Sequence, residues 1–505
     1  MKEHYDVIIV GTGAAGLYCA LNLPEKMKIL LITKQEADQS DSFLAQGGIC
    51  MLRGEDDYEN YFEDTMRAGH YENNKRAVDL MIRSSNDIIR DLLRYHVDFA
   101  RDGLGNLAFT REGAHSQPRI LFHEDITGKE ITQTLLTAAK IKENIEICEY
   151  MTMVDLISKD NTVCGIIAMD RNDQAFPVYS QYVVLACGGI GGLFKNSTNF
   201  SHIAGDGVGI AMKHHVEMEN LDYIQIHPTT LYSKKPGRRF LVSESVRGEG
   251  ALLYDKNGQR FTNELQPRDL LSQKIFAQME KDGTEFVWED MRPLGEKTIL
   301  EHFPHIYEQC VEEGFDPRKE PIPVVPAQHY FMGGIYVDEK HRTPVRNLYA
   351  AGECCAQYHG ANRLGGNSLL GAIYGGRIAA QTACEDAMTA KDMLVTETQE
   401  LSDLCESISQ PDKKKINKIM LNTLGVVRNR KRMEEELEKL CQIKGSLSLL
   451  GQAAIMSAIE RTESRGAHYR EDYPKKNDDF ARTTIASYNG QKIQIHFEEI
   501  PERRQ

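Results

Sequence analysis

The sequence lacks any apolar run of the roughly 18–20 residues that a membrane span requires. Its opening stretch, MKEHYDVIIVGTGAAG, enters a strand and a glycine turn at once, without the basic, apolar and small-residue blocks of an export signal. There are eleven cysteines but no CxxC pair and no cluster, so an iron–sulfur centre has no ligand set. Without an export signal they read as free thiols in a reducing compartment, and the expected location is the cytoplasm. Positive charge is short as well: 60 Lys and Arg stand against 74 Asp and Glu, a formal net charge of −14. That balance argues against nucleic acid and against an anionic membrane surface as partners. Internal repeats and low-complexity tracts are absent.

What is present is a chain of 505 residues, 41% hydrophobic and 27% charged, enough for two or three ordinary globular domains. Residues 5–33 read strand, glycine turn, helix, strand. Segment 55–100 reads as two amphipathic helices, and another helix is expected to begin at a cap-like Thr127. EICEYMTMVDLI, CGIIAMD and YVVLACGG read as strands. From about 221 to 330 prolines, aromatics and charges mix in α+β style. The nucleotide-type pattern returns at NLYAAGE (347–353), with a helix expected from Ser368. Beyond 400 the chain is charged and helical, in QELSDLCESI (399–408) and NRKRMEEELEKLCQI (429–443). The polar segment RTESRGAHYREDYP (461–474) is expected to lie extended against the body.

The run GTGAAG (Gly11, Thr12, Gly13, Ala14, Ala15, Gly16) follows a strand and opens a helix. Gly11 permits the tight turn, Gly13 lets backbone approach a pyrophosphate, and Gly16 lets helix and strand pack closely. The helix N-terminus then offers unpaired N–H groups to phosphate. The acid that normally binds ribose after the second strand is missing; Thr33 and Lys34 stand there, and no second GxGxxG follows. A plain NAD enzyme is disfavoured. Further glycine segments, at 186–192, 204–207 and before Glu353, suit an extended cofactor such as FAD.

Five later segments place cations and imidazoles beside conformationally special residues: HPTTLY (227–232), SESVRGEGA (243–251), QPRDLL (266–271), PAQHYFMGG (326–334) and HGANRLGGNSLLG (359–371). Arg pairs bidentately with carboxylates and keeps its charge. Two desolvated carboxylates would need this many donors.

With AQGGI, HPT, SVRGEGA, PRD, HY…GG and HGANRL…NSL in this order, nearly the whole chain resembles the succinate dehydrogenase/fumarate reductase flavoprotein family. The resemblance implies a Rossmann-like α/β FAD-binding domain at 1–220 and 331–399, an inserted α+β capping domain at 221–330, and a C-terminal helical domain at 400–505. It implies that Arg268 is the catalytic proton donor or acceptor and that Arg363 clamps a substrate carboxylate, aided by His227 and His329. Ser243 and Glu244 fall on the family's substrate-contacting Thr-Glu pair. Flavin contacts are implied for Lys34, for Asp41, Ser42, Phe43, Leu44, Ala45, Gln46, Gly47 and Gly48, and for Met153, Asp206, Glu353, Ser368 and Leu369. No metal is implied.

Within the family, members that oxidise aspartate carry a glutamate where the dicarboxylate reductases carry a glutamine; TREGAHSQPRI (110–120) supplies Glu112. An ammonium group wants a carboxylate partner, whereas succinate would be repelled by one. Membrane-complex members link flavin covalently through a histidine, and Asp41 occupies that position, so FAD is expected to be non-covalent. The implied reaction is L-aspartate to iminoaspartate, with hydride passing from Cα to flavin N5. Reoxidation is implied by dioxygen, giving hydrogen peroxide, or by fumarate. The product is implied to pass to quinolinate synthase for pyridine-nucleotide synthesis. A soluble fumarate reductase or a succinate dehydrogenase flavoprotein subunit is the alternative. Gly365 and Gly366, more reductase-like, are expected to bear on flavin-loop packing more than on substrate identity. The contact made by Asp41 itself stays open.

Overall fold

Strand His4–Val10 pairs in parallel with Ile29–Thr33 on one side and Ala175–Leu185 on the other. Ile145–Glu149 extends one edge in parallel, and Thr162–Met169 and Thr152–Lys159 close the other antiparallel. Leu348–Ala350 returns from far along the chain to pair in parallel with the end of Ala175–Leu185. The computed structural model describes residues 4–235, 237–389 and 410–500; the expected helical stretch 399–408 and the boundary near 400 lie outside them.

The parallel strands are apolar on both faces because both are covered. Val7, Ile9, Ile29 and Leu31 face helices Ala14–Asn22, Lys75–Arg94, Thr127–Lys140 and Asn367–Thr389. Their neighbours Ile8, Val10, Leu30 and Ile32 face helices Asp206–Lys213, Gln410–Leu424 and Ser446–Glu460. This is the two-residue alternation of a strand read out as two cores. Gly16 allows the first helix to sit on the turn, since a Cβ there would stand 2.0 Å from the Gly11 carbonyl oxygen.

Residues 221–330 build a second, antiparallel sheet in the order Ile224–Leu231, Ile322–Phe331, Val287–Asp290, Leu252–Tyr254. With helices Arg268–Asp282 and Pro304–Glu312 it encloses its own apolar core, including Val242, Leu271, Ile306 and Val324. The C-terminal region is helical at Gln410–Leu424, Arg430–Leu440 and Ser446–Glu460, but it ends in a hairpin, Thr483–Tyr488 with Ile493–Glu498. That hairpin joins Met218–Glu219 and Gly334–Ile335 in a third sheet. The polar segment after Glu460 does return to the body. Its charges are paired: Arg461 with Asp222 of the body at 2.6 Å, and Arg465 with Glu463 of the segment itself at 2.7 Å.

Thr127 is not a cap. It is the first helical residue, its Oγ1 accepts from His123 N at 3.0 Å and donates to Gln46 O at 3.3 Å, tying this helix to the Asp41–Gly48 loop. No helix among the described residues is long and apolar enough to cross a membrane.

Arg119 is fully buried between Asp57 (2.8 Å) and Asp64 (2.7 Å). Removing one partner of a buried pair leaves bare charge behind. Arg119→Met is expected to lower stability by about 3–5 kcal/mol in urea unfolding. The exposed Arg76, paired with Asp79 at 3.2 Å, serves as control, and Arg76→Met is expected to cost about 1 kcal/mol or less.

Candidate active site

The C-terminal ends of the parallel strands and the inner edge of the second sheet enclose one cavity of about 310 Å3. This is where ligands sit in open parallel sheets. Its lining includes Gly11 to Ala15, Lys34, Asp41 to Gly48, Met153, Asp206, Glu353, Ser368 and Leu369. The same cavity is lined by Glu112, His227, Ser243, Glu244, Arg268, His329 and Arg363. Of the residues expected at the site, only Gly16 stands outside the lining, beneath the turn.

On the nucleotide side, Gly11 has φ +117°, and a Cβ there would meet the Ala186 carbonyl oxygen at 2.2 Å. Ser42 Oγ accepts from Ala14 N at 3.2 Å, so the Asp41–Gly48 loop is pinned to the helix N-terminus. Lys34 pairs with Asp206 and also donates to His202 O at 2.9 Å. Asp41 accepts from Phe200 N at 2.9 Å; this settles its protein contact, while its Oδ2 and Gln46 Oε1 are buried without a partner. Desolvation pushes the Asp41 carboxyl up to about 7, against the pull of the Phe200 N–H and Arg238. Glu353 accepts from Phe331 N at 2.8 Å and is pushed up to about 8 by desolvation and by Asp41. Orphaned acceptors and carboxyls able to carry a proton suit a polar heterocycle with donors and acceptors on its edge.

The cationic part is organised by Gln225. Its Oε1 accepts from Arg268 Nη1 at 3.0 Å and from Arg363 Nη2 at 3.1 Å. Its Nε2 donates to Asn362 Oδ1 at 2.7 Å and Arg363 O at 3.0 Å. Arg268 is the first residue of its helix, where a cation opposes the helix dipole. Glu244 at 2.6 Å and Glu112 at 3.3 Å offset that. Burial opposes the charge of Arg268, but the two glutamates more than compensate and hold it protonated. Arg363 differs. It forms no ion pair among the described residues, its Nε is buried without a partner, and it lies 4.3 Å over the Tyr330 ring. Burial and the neighbouring Arg268 lower it to about 10.

His227 and His329 come from paired strands and meet edge to face at 5.1 Å. Desolvation and Arg268 hold both far below the usual imidazole range, so both are neutral. Thr229 and Thr198 engage their Nδ1 atoms at 2.9 and 2.8 Å, which leaves Nε2 for a ligand. Ser243 caps a short helix by accepting from Ser245 N at 3.3 Å, and Ser245 Oγ reaches Glu112 Oε1 at 3.5 Å. Burial and Glu244 raise the Glu112 carboxyl, while Arg268 and Arg363 pull it down less strongly. For Glu244 burial is outweighed by Arg268 and Arg247, and the carboxyl is held low.

Gly365 corrects an expectation. A Cβ there would stand 1.8 Å from Glu112 Oε2, and one at Gly47 2.0 Å from Oε1. Gly365 therefore shapes the seat of Glu112, on the substrate side, whereas Gly366 (φ +77°) packs on Cys50.

The comparisons with known proteins agree with this geometry. A family model described as FAD binding domain matches residues 6–369, and one described as fumarate reductase flavoprotein C-term matches 445–504. An L-aspartate oxidase of Clostridium perfringens is 48% identical over 375 residues, covering 74% of this chain and 85% of the relative. An L-aspartate oxidase of Acinetobacter baylyi is 32% identical over 533 residues, 98% of each chain. The chain belongs to the L-aspartate oxidase family. That family is a branch of the succinate dehydrogenase/fumarate reductase flavoproteins, and the solved structure of an E. coli quinol fumarate reductase shares the fold: TM-score 0.90 at 28% identity, covering 99% of this chain and 97% of that one. The cofactor of this family member is FAD, and the residues at the cavity fit it. Position 41 has no ring nitrogen that could bond a flavin covalently.

Several contributors escape a motif reading. Gln225 precedes His227 by two residues on one strand, so strand alternation alone places both on one face. Tyr330 neighbours His329, lies under Arg363 and joins its hydroxyl to His359 Nε2 at 3.1 Å. Thr198 carries no sequence signal, since its partner His329 is 131 residues away.

Asp41 gives a pH test. Between about 4 and 7 the folded chain holds a proton that the unfolded chain has lost, so folding stability falls as pH rises through that window. Asp41→Asn is expected to raise the stability of flavin-free protein at pH 8 by roughly 2–4 kcal/mol relative to wild type, and to change it little at pH 4. Thermal unfolding at the two pH values reads the difference.

Proposed function

We propose that the chain oxidises L-aspartate to iminoaspartate. One observation carries this reading: Arg363, a buried guanidinium without a counterion among the described residues, shares a cavity with Glu112, a buried carboxylate that is the looser of the two partners of Arg268. A ligand with both a carboxylate and an ammonium group neutralises both. Arg363, the Nε2 atoms of His227 and His329, and Ser243 hold the two carboxylates; Glu112 holds the amine. FAD, when bound, supplies the two-electron acceptor.

Arg268 is too firmly protonated to act as a base, so in this direction it stabilises negative charge on the substrate. Glu112, with its raised pKa, is the group able to take the amine proton at Oε. Residues 221–330 act as the capping domain that excludes water, with 1–220 and 331–399 as the FAD-binding domain. Reduced cofactor is reoxidised by dioxygen, giving hydrogen peroxide, or by fumarate. The product imine passes to quinolinate synthase in the cytoplasm, the first step of pyridine-nucleotide synthesis. Fumarate reduction is the second reading, favoured by the likeness to quinol fumarate reductase and by the strongly protonated Arg268, which in that direction donates to carbon.

Adding L-aspartate to the holoprotein without air is expected to bleach the flavin, and succinate is expected to leave it yellow. Bleaching by neither would overturn the reading. Glu112→Gln is expected to lower kcat/KM for aspartate about 100-fold, about 3 kcal/mol, with a much smaller effect on fumarate reduction; an equal loss in both rejects amine recognition. In wild type, KM for aspartate is expected to fall as pH rises through the raised pKa of Glu112, because only the ionised carboxylate pairs the amine. Arg268→Leu is expected to abolish fumarate reduction while flavin stays bound, which activity and absorbance measured on one preparation will show.

A further inference from the structure

The two arginines stand on short pieces of chain whose other contacts lead away from the cavity. Arg363 ends the loop His359–Arg363. In that loop Ala361 N donates to Gly69 O at 2.9 Å, and Ala361 O accepts from Ala467 N at 2.9 Å. Gly466 has φ +55°, and a Cβ there would lie 2.4 Å from Ala361 O and 2.9 Å from Ala361 Cβ. Ala467 also packs against Tyr223, Tyr330, Met332 and Ala361, the cluster that includes the ring under Arg363. Gln225, which joins the two guanidinium groups, lies three residues after Asp222. Asp222 is gripped from the same C-terminal segment: Arg461 Nε reaches Oδ2 at 2.6 Å, and Arg461 lies 4.7 Å over Tyr223. Arg428 Nη1 donates to Asp222 O at 2.6 Å and to His468 Nδ1 at 2.7 Å.

We propose that residues 461–470 are a strap that positions the substrate arginines, holding Arg363 through Ala361 and Gln225 through Asp222. Gly466, Ala467 and Arg461 do not line the cavity; they are positioning residues. Arg465 closes the turn that presents Gly466, with Arg465 N and His468 N each donating to the other's carbonyl at 2.8 and 3.0 Å, and its side chain held by Glu463. The physical argument is one of like charges. Two guanidinium groups on one amide oxygen repel each other, and a fixed backbone keeps them converging.

The inference rests on reading Arg363 and Arg268 as carboxylate-binding, and the test separates the two. Holoprotein is titrated with succinate, followed by the flavin spectrum, and assayed with L-aspartate. Gly466→Ala is expected to raise the succinate Kd and the aspartate KM at least fivefold, lower kcat less than threefold, and leave flavin affinity within twofold. Gly490→Ala, in the exposed turn of the C-terminal hairpin with φ +89° and nothing closer than His215 at 3.7 Å, carries the same kind of backbone strain without the push on Ala361, and is expected to match wild type. Smaller changes in Kd and KM for Gly466→Ala, or loss of flavin in parallel with succinate, overturn the strap. If Gly466→Ala yields no folded holoprotein, Arg465→Lys, which keeps the charge and loses the bidentate grip on Glu463, is judged by the same criteria. A wild type that binds no succinate and turns over no aspartate overturns the functional reading, and the strap with it.

Discussion

Two guanidinium groups share one amide oxygen at the heart of this protein, and much of the structure serves to make that tolerable. Arg268 and Arg363 both donate to Gln225 Oε1. Buried like charges cost free energy unless each is paired or solvated. Glu244 and Glu112 neutralise Arg268, whereas Arg363 has no ion pair among the described residues. In the proposed function this asymmetry is put to use: one arginine is satisfied by the protein, and the other is open to a carboxylate.

The same economy of placement governs Glu112. A carboxylate proposed to recognise an amine has to be desolvated and still reachable. Here Gly47 and Gly365 crowd it from two sides so that backbone, not water, surrounds it. Its raised pKa follows from that seat and from Glu244. On the flavin side desolvation raises both Asp41 and Glu353, and Asp41 raises Glu353 further, so the cavity carries less negative charge than its carboxyl count suggests.

The segment between the last helix and the hairpin shows how far charge can be carried into the interior. RTESRGAHYREDYP is polar, and its composition gives no sign of how deeply it lies against the body: Arg461, Glu463, His468 and Arg470 have no exposure. Charges of both signs within ten residues let the segment enter the interior already paired. The helix at Thr127 shows a local signal put to another use. The cap-like residue is present, but it sits inside the helix, where its hydroxyl accepts from His123 N in the preceding turn and donates to Gln46 O across the fold.

Local order in the chain was enough to determine much here. The glycine turn, the apolar parallel strands, the two amphipathic helices and the HPT, PRD and NRL segments are periodicity and backbone constraints written over a few residues. The family resemblance then named Arg268, Arg363 and Glu112 before any coordinates. Only tertiary structure decided that Gln225 is the hub, that Gly365 belongs to Glu112, that Asp41 is tied to Phe200, and that Ala467 reaches the loop carrying Arg363. Each of these is a contact between segments more than 40 residues apart, set by how the sheets and helices close on one another, and no local pattern encodes that closure.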